Sequence, residues 1–118
     1  MFIMYNFDMI DIYSLTEAME AFVRAKGWTQ PDSARPQTAK NLAISMSVEA
    51  SEVLELFQWI ETAPDPDRLA GELADVTLYL LQLASVSGID LEEAVLAKLK
   101  ENYKREWDIQ PGDAKDRT

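Results

Sequence analysis

Residues 38–62, TAKNLAISMSVEASEVLELFQWIET, and residues 65–88, DPDRLAGELADVTLYLLQLASVSG, decide the fold of this 118-residue chain. In the first segment apolar side chains recur with the spacing of an amphipathic helix, at Leu42, Met46, Val53, Phe57 and Ile60. The second segment is rich in leucine; Asp65 before Pro66 is typical of a helix start, and Gly88 of a helix end. Two long helices with a short connection predict an antiparallel pair.

A first helix is predicted before this pair. Ser14 and Glu17 frame the sequence SLTE, which is typical of a capping box, and the helix that it opens runs to about Lys26. Gly27 then supplies a natural end. Residues 28–37 contain two prolines and predict a loop.

A fourth helix is predicted after the pair. Asp90, followed three residues later by Glu93, indicates its start, and its pattern continues to about Trp107. Residues 1–13 form an N-terminal extension, and residues 111–118 form a polar, frayed tail. Because we find no solenoid repeat and no alternating strand pattern, the whole chain is predicted to be one all-α domain, a four-helix antiparallel bundle.

The composition restricts the chemistry of this chain. It has 21 acidic residues against 11 basic ones, a net charge of −10, and neither cysteine nor histidine. That charge repels nucleic acid backbones and anionic lipids, so we expect no nucleic acid polymer and no membrane as partner. Catalysis must use carboxylates, since thiolates and imidazoles are absent. Residues 1–13 lack a basic leader and a long apolar run, which predicts a soluble cytoplasmic protein.

A carboxylate interrupts the apolar stripe of the second helix. Glu49 falls on the helical line that passes through Leu42, Met46 and Val53. Glu52 lies one turn further along, at the edge of the same stripe. The two carboxylates can therefore converge on one point.

A second acid pair lies on the third helix. Glu72 and Asp75 are also three residues apart and border the inward face of that helix. If the two helices pack antiparallel, the four carboxylates face one another and repel unless a cation holds them. Mg²⁺, for which Mn²⁺ can substitute, prefers oxygen ligands and is commonly completed by substrate phosphates. The alternative is that these acids are ordinary solvated side chains of an acidic chain.

Three stretches, KNLAISMSVEASEVLELFQW, GELADVTLYLLQLA and DLEEAVLAKLKENYKR, resemble the MazG-like nucleotide pyrophosphohydrolases, in particular their dCTP pyrophosphatase and integron-type branch. The resemblance covers about residues 38–105. Its signature is Glu-Glu-x-x-Glu followed after a gap by Glu-x-x-Asp. Glu49 and Glu52 match the second and third glutamates of the first motif, and Glu72 and Asp75 match the second motif.

The resemblance implies an activity. The expected reaction is magnesium-dependent hydrolysis of a nucleoside triphosphate between its α and β phosphates, giving a nucleoside monophosphate and pyrophosphate. It implies dCTP-type substrates or the removal of non-canonical nucleotides, called house-cleaning, and an assembly that is a homodimer or a homotetramer. Val48 replaces the first glutamate of the signature, a departure that the dCTP-type branch tolerates, so we expect metal binding to persist.

Further positions match family residues that contact the nucleotide. Lys40 and Asn41 match the Lys-Asn-Leu start of the second helix, where a cation and an amide can receive phosphate oxygens. Lys98 and Asn102 match positions of the last helix that reach the nucleotide in the family, and Arg105 follows one turn later. Ordinary solvent-exposed side chains are the alternative for each of them.

Three aromatic residues are candidates for the wall of the nucleotide pocket. Trp59 and Tyr79 follow the acid pairs on their helices and can contact the base or the sugar. Trp28 resembles the tryptophan that precedes the second helix in relatives, although the loop here is longer and lacks their Phe-His segment. The alternative is ordinary core packing.

Catalysis and assembly follow from these assignments. Glu52 is the candidate acceptor of the proton of the attacking water, and Lys40 and Lys98 would share the phosphate charge. Leu78 and Leu81 lie outside the main stripe of the third helix, so that helix is apolar on nearly all sides and is expected to be covered by another subunit.

Two other functions fit the same sequence. The chain can be a non-enzymatic helical dimerisation or adaptor module, in which the acids only maintain solubility. It can also be a metal-dependent hydrolase with a different reaction, such as a phosphodiesterase or a hydrolase of nucleotide-derived cofactors. Only the pyrophosphohydrolase releases pyrophosphate from a plain nucleoside triphosphate.

Overall fold

A computed structural model of the chain describes residues 10–105. Within that range it contains four α-helices and no β-strand: α1 (Ile12–Ala25), α2 (Ala39–Glu55), α3 (Pro66–Val86) and α4 (Leu91–Tyr103). The predicted all-α class and the order of the helices are therefore confirmed. The predictions for residues 1–9 and for the tail 111–118 lie outside the described residues. The predicted end of the fourth helix near Trp107 is wrong, because α4 ends at Tyr103 and Lys104 is its C-cap.

The predicted starts of the last three helices are confirmed by their caps. Oγ1 of Thr38 accepts a hydrogen bond of 3.2 Å from the main-chain N–H of Asn41. The carboxylates of Asp65 and Asp90 accept main-chain N–H bonds of 3.1 and 3.0 Å in the same way. Each bond satisfies an N–H group that has no partner inside its helix.

Two glycines stand where helices end, as predicted. Gly27 and Gly88 have φ angles of 74° and 68°, in the left-handed region that glycine adopts without steric cost. The main chain can therefore turn sharply after α1 and α3.

The predicted start of the first helix is wrong. Asp11, rather than Ser14, is the N-cap, and its Oδ1 accepts hydrogen bonds of 2.8 Å from both the main-chain N–H and the hydroxyl of Ser14. A carboxylate is a stronger acceptor than a hydroxyl at this place. The helix consequently begins at Ile12, and Ser14 lies inside its first turn.

The predicted end of the second helix is also wrong. Helix α2 ends at Glu55 rather than near Thr62, although the apolar pattern continues to Ile60. The following residues form tight turns, in which Phe57 N–H donates to the carbonyl of Leu54 at 3.0 Å. This early end reverses the chain toward α3 before Pro64, which is buried.

Helices α2 and α3 form the main packing seam, and α1 packs across α3. Met19 and Val23 of α1 and Leu81 of α3 make the buried cluster, which Trp28 and Leu91 cover from outside. Burial of apolar surface at these contacts stabilises the arrangement of the first three helices. Helix α4 lies at the edge and packs mainly against α1.

Much apolar surface remains open in the single chain. Large apolar side chains with at least 39% of their surface exposed lie on both α3 and α4: Leu73, Leu78, Leu80, Val86, Val95, Leu96 and Leu99. The radius of gyration, 17.9 Å, exceeds the value of about 13 Å typical of a compact domain of this length. An exposed apolar surface of this kind is typical of an interaction site.

Helix α3 also has the length and composition of a membrane-spanning segment. Its 21 residues have a mean hydropathy of 1.3 in the most apolar window, of which 17% is buried in the single chain. One such helix is weak evidence of a membrane span, because the central helix of a protein assembly has the same properties.

Candidate active site

Three of the predicted site carboxylates meet at the seam between α2 and α3. One carboxylate oxygen from each of Glu49, Glu72 and Asp75 lies within 4.8 Å of the others. Glu72 and Asp75 are one helical turn apart on α3, and Glu49 approaches them from α2. The packing of the two helices therefore gathers negative charge at one point.

Glu52 lies next to this triple. The pKa of Glu52 is raised, first because it hydrogen-bonds to Glu49, then because the charge of Glu49 repels its own and because it has lost solvent. A hydrogen bond from Glu72 acts in the opposite direction and lowers the pKa of Glu52. Glu52 thus lies beside two other carboxyl groups, which shift its pKa in opposite directions.

The pKa of Glu72 is raised as well. Loss of solvent is the largest cause, followed by the hydrogen bond to Glu52 and by the charges of Glu52 and Asp75, while Arg68 has a smaller lowering effect. The raised pKa values therefore have different main causes, the neighbouring Glu49 for Glu52 and loss of solvent for Glu72.

The carboxylate cluster fits a divalent cation. Oε2 of Glu49 and Oε2 of Glu72 are buried and find no hydrogen-bond donor within residues 10–105. Two oxygen ligands of one Mg²⁺ lie at most about 4.2 Å apart, so a slight contraction of the cluster would bring its oxygens into range. An all-oxygen set of ligands also matches the preference of a hard cation.

A cavity of about 490 Å³, here called the aromatic cavity, opens beside the acids. Glu49 and Asp75 line one part of it, while Trp28, Tyr79 and Gln82 line another. Its remaining walls are apolar side chains of α1 and α3. The aromatic cavity therefore joins two carboxylates to a surface suited to a planar ring.

A second cavity of about 370 Å³, here called the acidic cavity, lies on the other side of the cluster. Glu52 and Glu72 line it together with Glu55 and Arg68. The four carboxylates thus stand between an aromatic and an acidic cavity, and Arg68 brings a positive charge into the second.

The structure places two of the three aromatic candidates at the aromatic cavity. Trp28 packs edge to face on Phe22, with ring centroids 5.7 Å apart, and the guanidinium of Arg35 lies 5.6 Å from the Trp28 ring centre. Tyr79 is half-buried one turn beyond Asp75. Tyr79 thus lies on α3, and Trp28 lies in the turn after α1 between Phe22 and Arg35.

Trp59 does not lie where we expected it. It is 91% exposed, has a left-handed φ of 69° and lines neither the aromatic nor the acidic cavity. The reason is that α2 ends at Glu55, so the helical spacing that would have brought Trp59 above Glu52 no longer applies. Within the single chain, Trp59 is therefore not a wall of either cavity.

Lys40 and Asn41 lie in the first turn of α2, and both are exposed. Nδ2 of Asn41 donates a hydrogen bond of 2.9 Å to the carbonyl of Pro36. This amide fastens the preceding loop to the helix, which is a structural task that the sequence pattern did not indicate.

The two candidates on α4 do not reach the carboxylate cluster within one chain. Lys98 pairs with Glu101 of the same helix at 3.6 Å, and both side chains are largely exposed. Oδ1 of Asn102 is buried and has no hydrogen-bond donor among the described residues. Since α4 packs mainly against α1, these residues stand apart from the seam that carries the acids.

Sequence reasoning missed two polar residues at the site. Arg68, one helical turn before Glu72, is a positively charged side chain that lines the acidic cavity. Gln82 is buried inside the apolar run of α3, where its side chain donates a hydrogen bond to Gln37. The sequence signal was the position of Gln82 within the apolar run LYLLQLASV, because a buried polar group needs a hydrogen-bond partner.

Known proteins resemble this chain in sequence and in structure. The sequence model of the MazG-like family matches residues 44–116. The dCTP pyrophosphatase 1 proteins of Mus musculus and Homo sapiens are both 34% identical over an alignment of 93 positions, which covers 71% of this chain and 52% of each relative. The chain therefore spans about half the length of these relatives.

A solved structure shares the fold. A pyrophosphatase from Archaeoglobus fulgidus matches with a TM-score of 0.66 and 31% sequence identity, over 86% of this chain and 95% of that chain. The match extends well beyond the carboxylate signature and includes most of the four helices.

Proposed function

The chain belongs to the MazG-like family, and from that premise we propose that it is a nucleoside triphosphate pyrophosphohydrolase. The reaction is hydrolysis between the α and β phosphates, which releases a nucleoside monophosphate and pyrophosphate. The observation that carries the proposal is the convergence of Glu49, Glu72 and Asp75 beside a cavity with aromatic walls. The names of the dCTP pyrophosphatase relatives and of the Archaeoglobus fulgidus pyrophosphatase support it.

The two cavities suggest how a nucleotide is oriented. Trp28 and Tyr79 offer ring surfaces for the base and the sugar in the aromatic cavity. Glu49 and Asp75 line the same cavity, so a triphosphate that leaves the base pocket passes the carboxylate cluster. Arg68, which lines the acidic cavity, would receive the outer phosphates there.

A divalent cation is required in this proposal because carboxylates and phosphates repel each other. Glu49, Glu72 and Asp75 would hold it, with Glu52 adjacent, and Mg²⁺ is the ion that their oxygen ligands favour, with Mn²⁺ as a substitute. When bound, the cation neutralises phosphate charge and makes the attacking water more acidic.

Glu52 is the proposed general base. It lies next to the three proposed cation ligands, so its carboxylate could accept a proton from a water bound there. It also contacts Glu72, so the cluster offers a route along which the abstracted proton can be shared.

The remaining predicted contacts require a second chain. Lys98 and Asn102 lie on α4, away from the cluster of their own chain, and Lys40 is exposed on α2. A homodimer or a homotetramer would cover the apolar faces of α3 and α4 and could carry these side chains toward a neighbouring active site. We propose such an assembly, acting in the cytoplasm, with no nucleic acid polymer and no membrane as partner.

An adaptor module remains the second candidate, because the exposed leucines of α3 and α4 also favour a protein partner. Metal dependence separates the two functions. The adaptor has no use for the buried oxygens of Glu49 and Glu72 that lack donors, whereas the enzyme uses them to bind a cation.

Pyrophosphate release from a panel of canonical and modified nucleoside triphosphates tests the proposal. We expect release with Mg²⁺, none with a chelator, and none from a folded Glu49→Ala variant. Release of phosphate alone, or silence across the panel from folded wild-type protein, would contradict it.

A further inference from the structure

Gln82 is an unusual residue for the interior of α3. Only 7% of its surface is exposed, and its neighbours in sequence are leucine and alanine. A buried amide is costly unless it is hydrogen-bonded, and Gln82 meets this need in part by donating to the side chain of Gln37 in the loop before α2.

The direction of that hydrogen bond is fixed by chemistry. Nε2 of Gln37 donates a 2.6 Å bond to the main-chain carbonyl of Arg35, and a main-chain carbonyl can only accept. The other end of Gln37, its carbonyl oxygen, must then face Gln82, and it receives a bond from the amide nitrogen of Gln82. These two hydrogen bonds leave Oε1 of Gln82 as an acceptor, and no described residue donates to it.

Gln82 also has a defined place relative to the acids. Glu72, Asp75, Tyr79 and Gln82 follow one another at intervals of three or four residues, so they lie along one face of α3. The helical rise puts Gln82 about 10 Å from Asp75, a distance comparable with that between the first phosphate and the far edge of the base in a nucleotide. Gln82 lines the aromatic cavity, and together with Gln37 it also lines a neighbouring cavity of about 450 Å³.

We propose that Gln82, oriented by Gln37, is a specificity-determining residue that selects nucleobases carrying an exocyclic amine. This inference rests on the proposed function. An amine at the end of the base donates to Oε1 of Gln82. A keto base in the same position presents a carbonyl oxygen instead, so that two acceptors face each other without a donor between them.

Two matched substrate pairs isolate this contact. Cytosine and uracil differ in an amine or a carbonyl at one ring position, and adenine and hypoxanthine differ in the same way. We would measure kcat/KM for pyrophosphate release from dCTP, dUTP, dATP and dITP with saturating Mg²⁺. The quantity of interest is the ratio of the amine base to the keto base within each pair.

Three variants are compared with the wild type. Gln82→Leu keeps the size of the side chain and removes the acceptor, so the amine preference should fall by about ten- to a hundredfold. Gln37→Leu leaves Gln82 in place but lets its amide rotate, so the preference should fall while both substrates are still cleaved. Asp32→Leu changes an exposed residue of the same loop that lines neither the aromatic cavity nor the neighbouring one, and it should leave the ratio unchanged.

The outcomes separate this inference from the proposed function. If Gln82 had only a structural role, Gln82→Leu would lower kcat/KM equally for all four substrates and leave both ratios unchanged. That result would overturn this inference but not the proposed pyrophosphohydrolase activity. A wild-type protein that prefers the keto bases would overturn it too. If the folded wild type releases pyrophosphate from none of the four, the proposed function itself is wrong. Gln37→Leu keeps the test valid if Gln82→Leu does not fold.

Discussion

The seam between α2 and α3 and the isolated helix α4 are both rich in apolar side chains, yet their surroundings differ. At the seam, side chains of the same chain surround the acids strongly enough to raise the pKa values of Glu52 and Glu72. On α4 no residue is buried, and Leu96 is 60% exposed. Within one chain, other side chains surround the acids of the seam, whereas the apolar side chains of α4 stay exposed.

We expect the two regions to have different roles in the proposed enzyme. The carboxylates and the aromatic cavity need only intrachain packing, so cation binding should be a property of each chain. The contacts predicted for Lys98 and Asn102 depend on what covers α4, so they should respond to assembly. Changes at the two regions should therefore have separable effects on metal binding and on oligomeric state.

The largest effect is expected at the seam. Glu72→Gln removes one charge and one cation ligand while keeping the size of the side chain, so kcat/KM for pyrophosphate release should fall by about a hundredfold or more. Circular dichroism should show an unchanged helix content. Glu17→Gln, which changes an exposed acid of α1, is the matched control and should retain activity. Equal activity of the two variants would remove Glu72 from the site.

The next effect concerns α4. Replacing both Leu96 and Leu99 by glutamate places charges on its exposed apolar face, so the assembly should dissociate to the 13.4 kDa mass of one chain and turnover should drop. Light scattering after size exclusion gives the mass. Ala97→Glu on the polar side of α4 should leave the assembly intact. A wild-type protein that is already monomeric at micromolar concentration would show that no second copy covers this face.

A moderate effect is expected from pH. The pKa values of Glu52 and Glu72 are raised, the first mainly by Glu49 and the second mainly by loss of solvent, so the folded protein binds more protons than the unfolded chain above the ordinary value of 4.5. Without metal, the free energy of unfolding should therefore fall as pH rises from about 4.5 through the raised values. Urea denaturation in chelator measures this trend. Glu52→Gln should flatten it, and a trend of the opposite sign would contradict the raised pKa values of Glu52 and Glu72.

The smallest effect is expected at the helix caps. Thr38→Ala removes the cap of α2 and should lower the global free energy of unfolding by about 1 kcal/mol, since α2 belongs to the main seam. Asp90→Ala removes the cap of α4, and its effect should be confined to faster amide exchange in that helix. If Asp90→Ala lowered global stability as much as Thr38→Ala, α4 would be part of the cooperative core.

The helices and the position of the acid cluster were predictable because both depend on local spacing. Glu49 lies on the apolar face of the second helix, and Glu72 and Asp75 border the inward face of the third. The packing of these two helices is therefore enough to bring the three carboxylates together. The Asp65, Asp90 and Thr38 caps were equally local.

The remaining features depend on contacts distant in sequence. The end of α2 before Trp59 follows from how the chain must turn toward α3, which periodicity does not contain. The bond between Gln37 and Gln82 joins residues 45 positions apart, and the separation of α4 from the acids depends on packing. Spacing within one helix predicts none of these.

Cation binding by the carboxylate cluster can be followed through the electron paramagnetic resonance signal of free Mn²⁺. Wild-type protein mixed with a non-hydrolysable α,β-imido nucleotide should remove Mn²⁺ from solution, Mg²⁺ should release it, and Glu49→Gln should bind no more than the nucleotide alone does. Equal Mn²⁺ binding by the folded wild-type and Glu49→Gln proteins would show that the cluster is not the cation site.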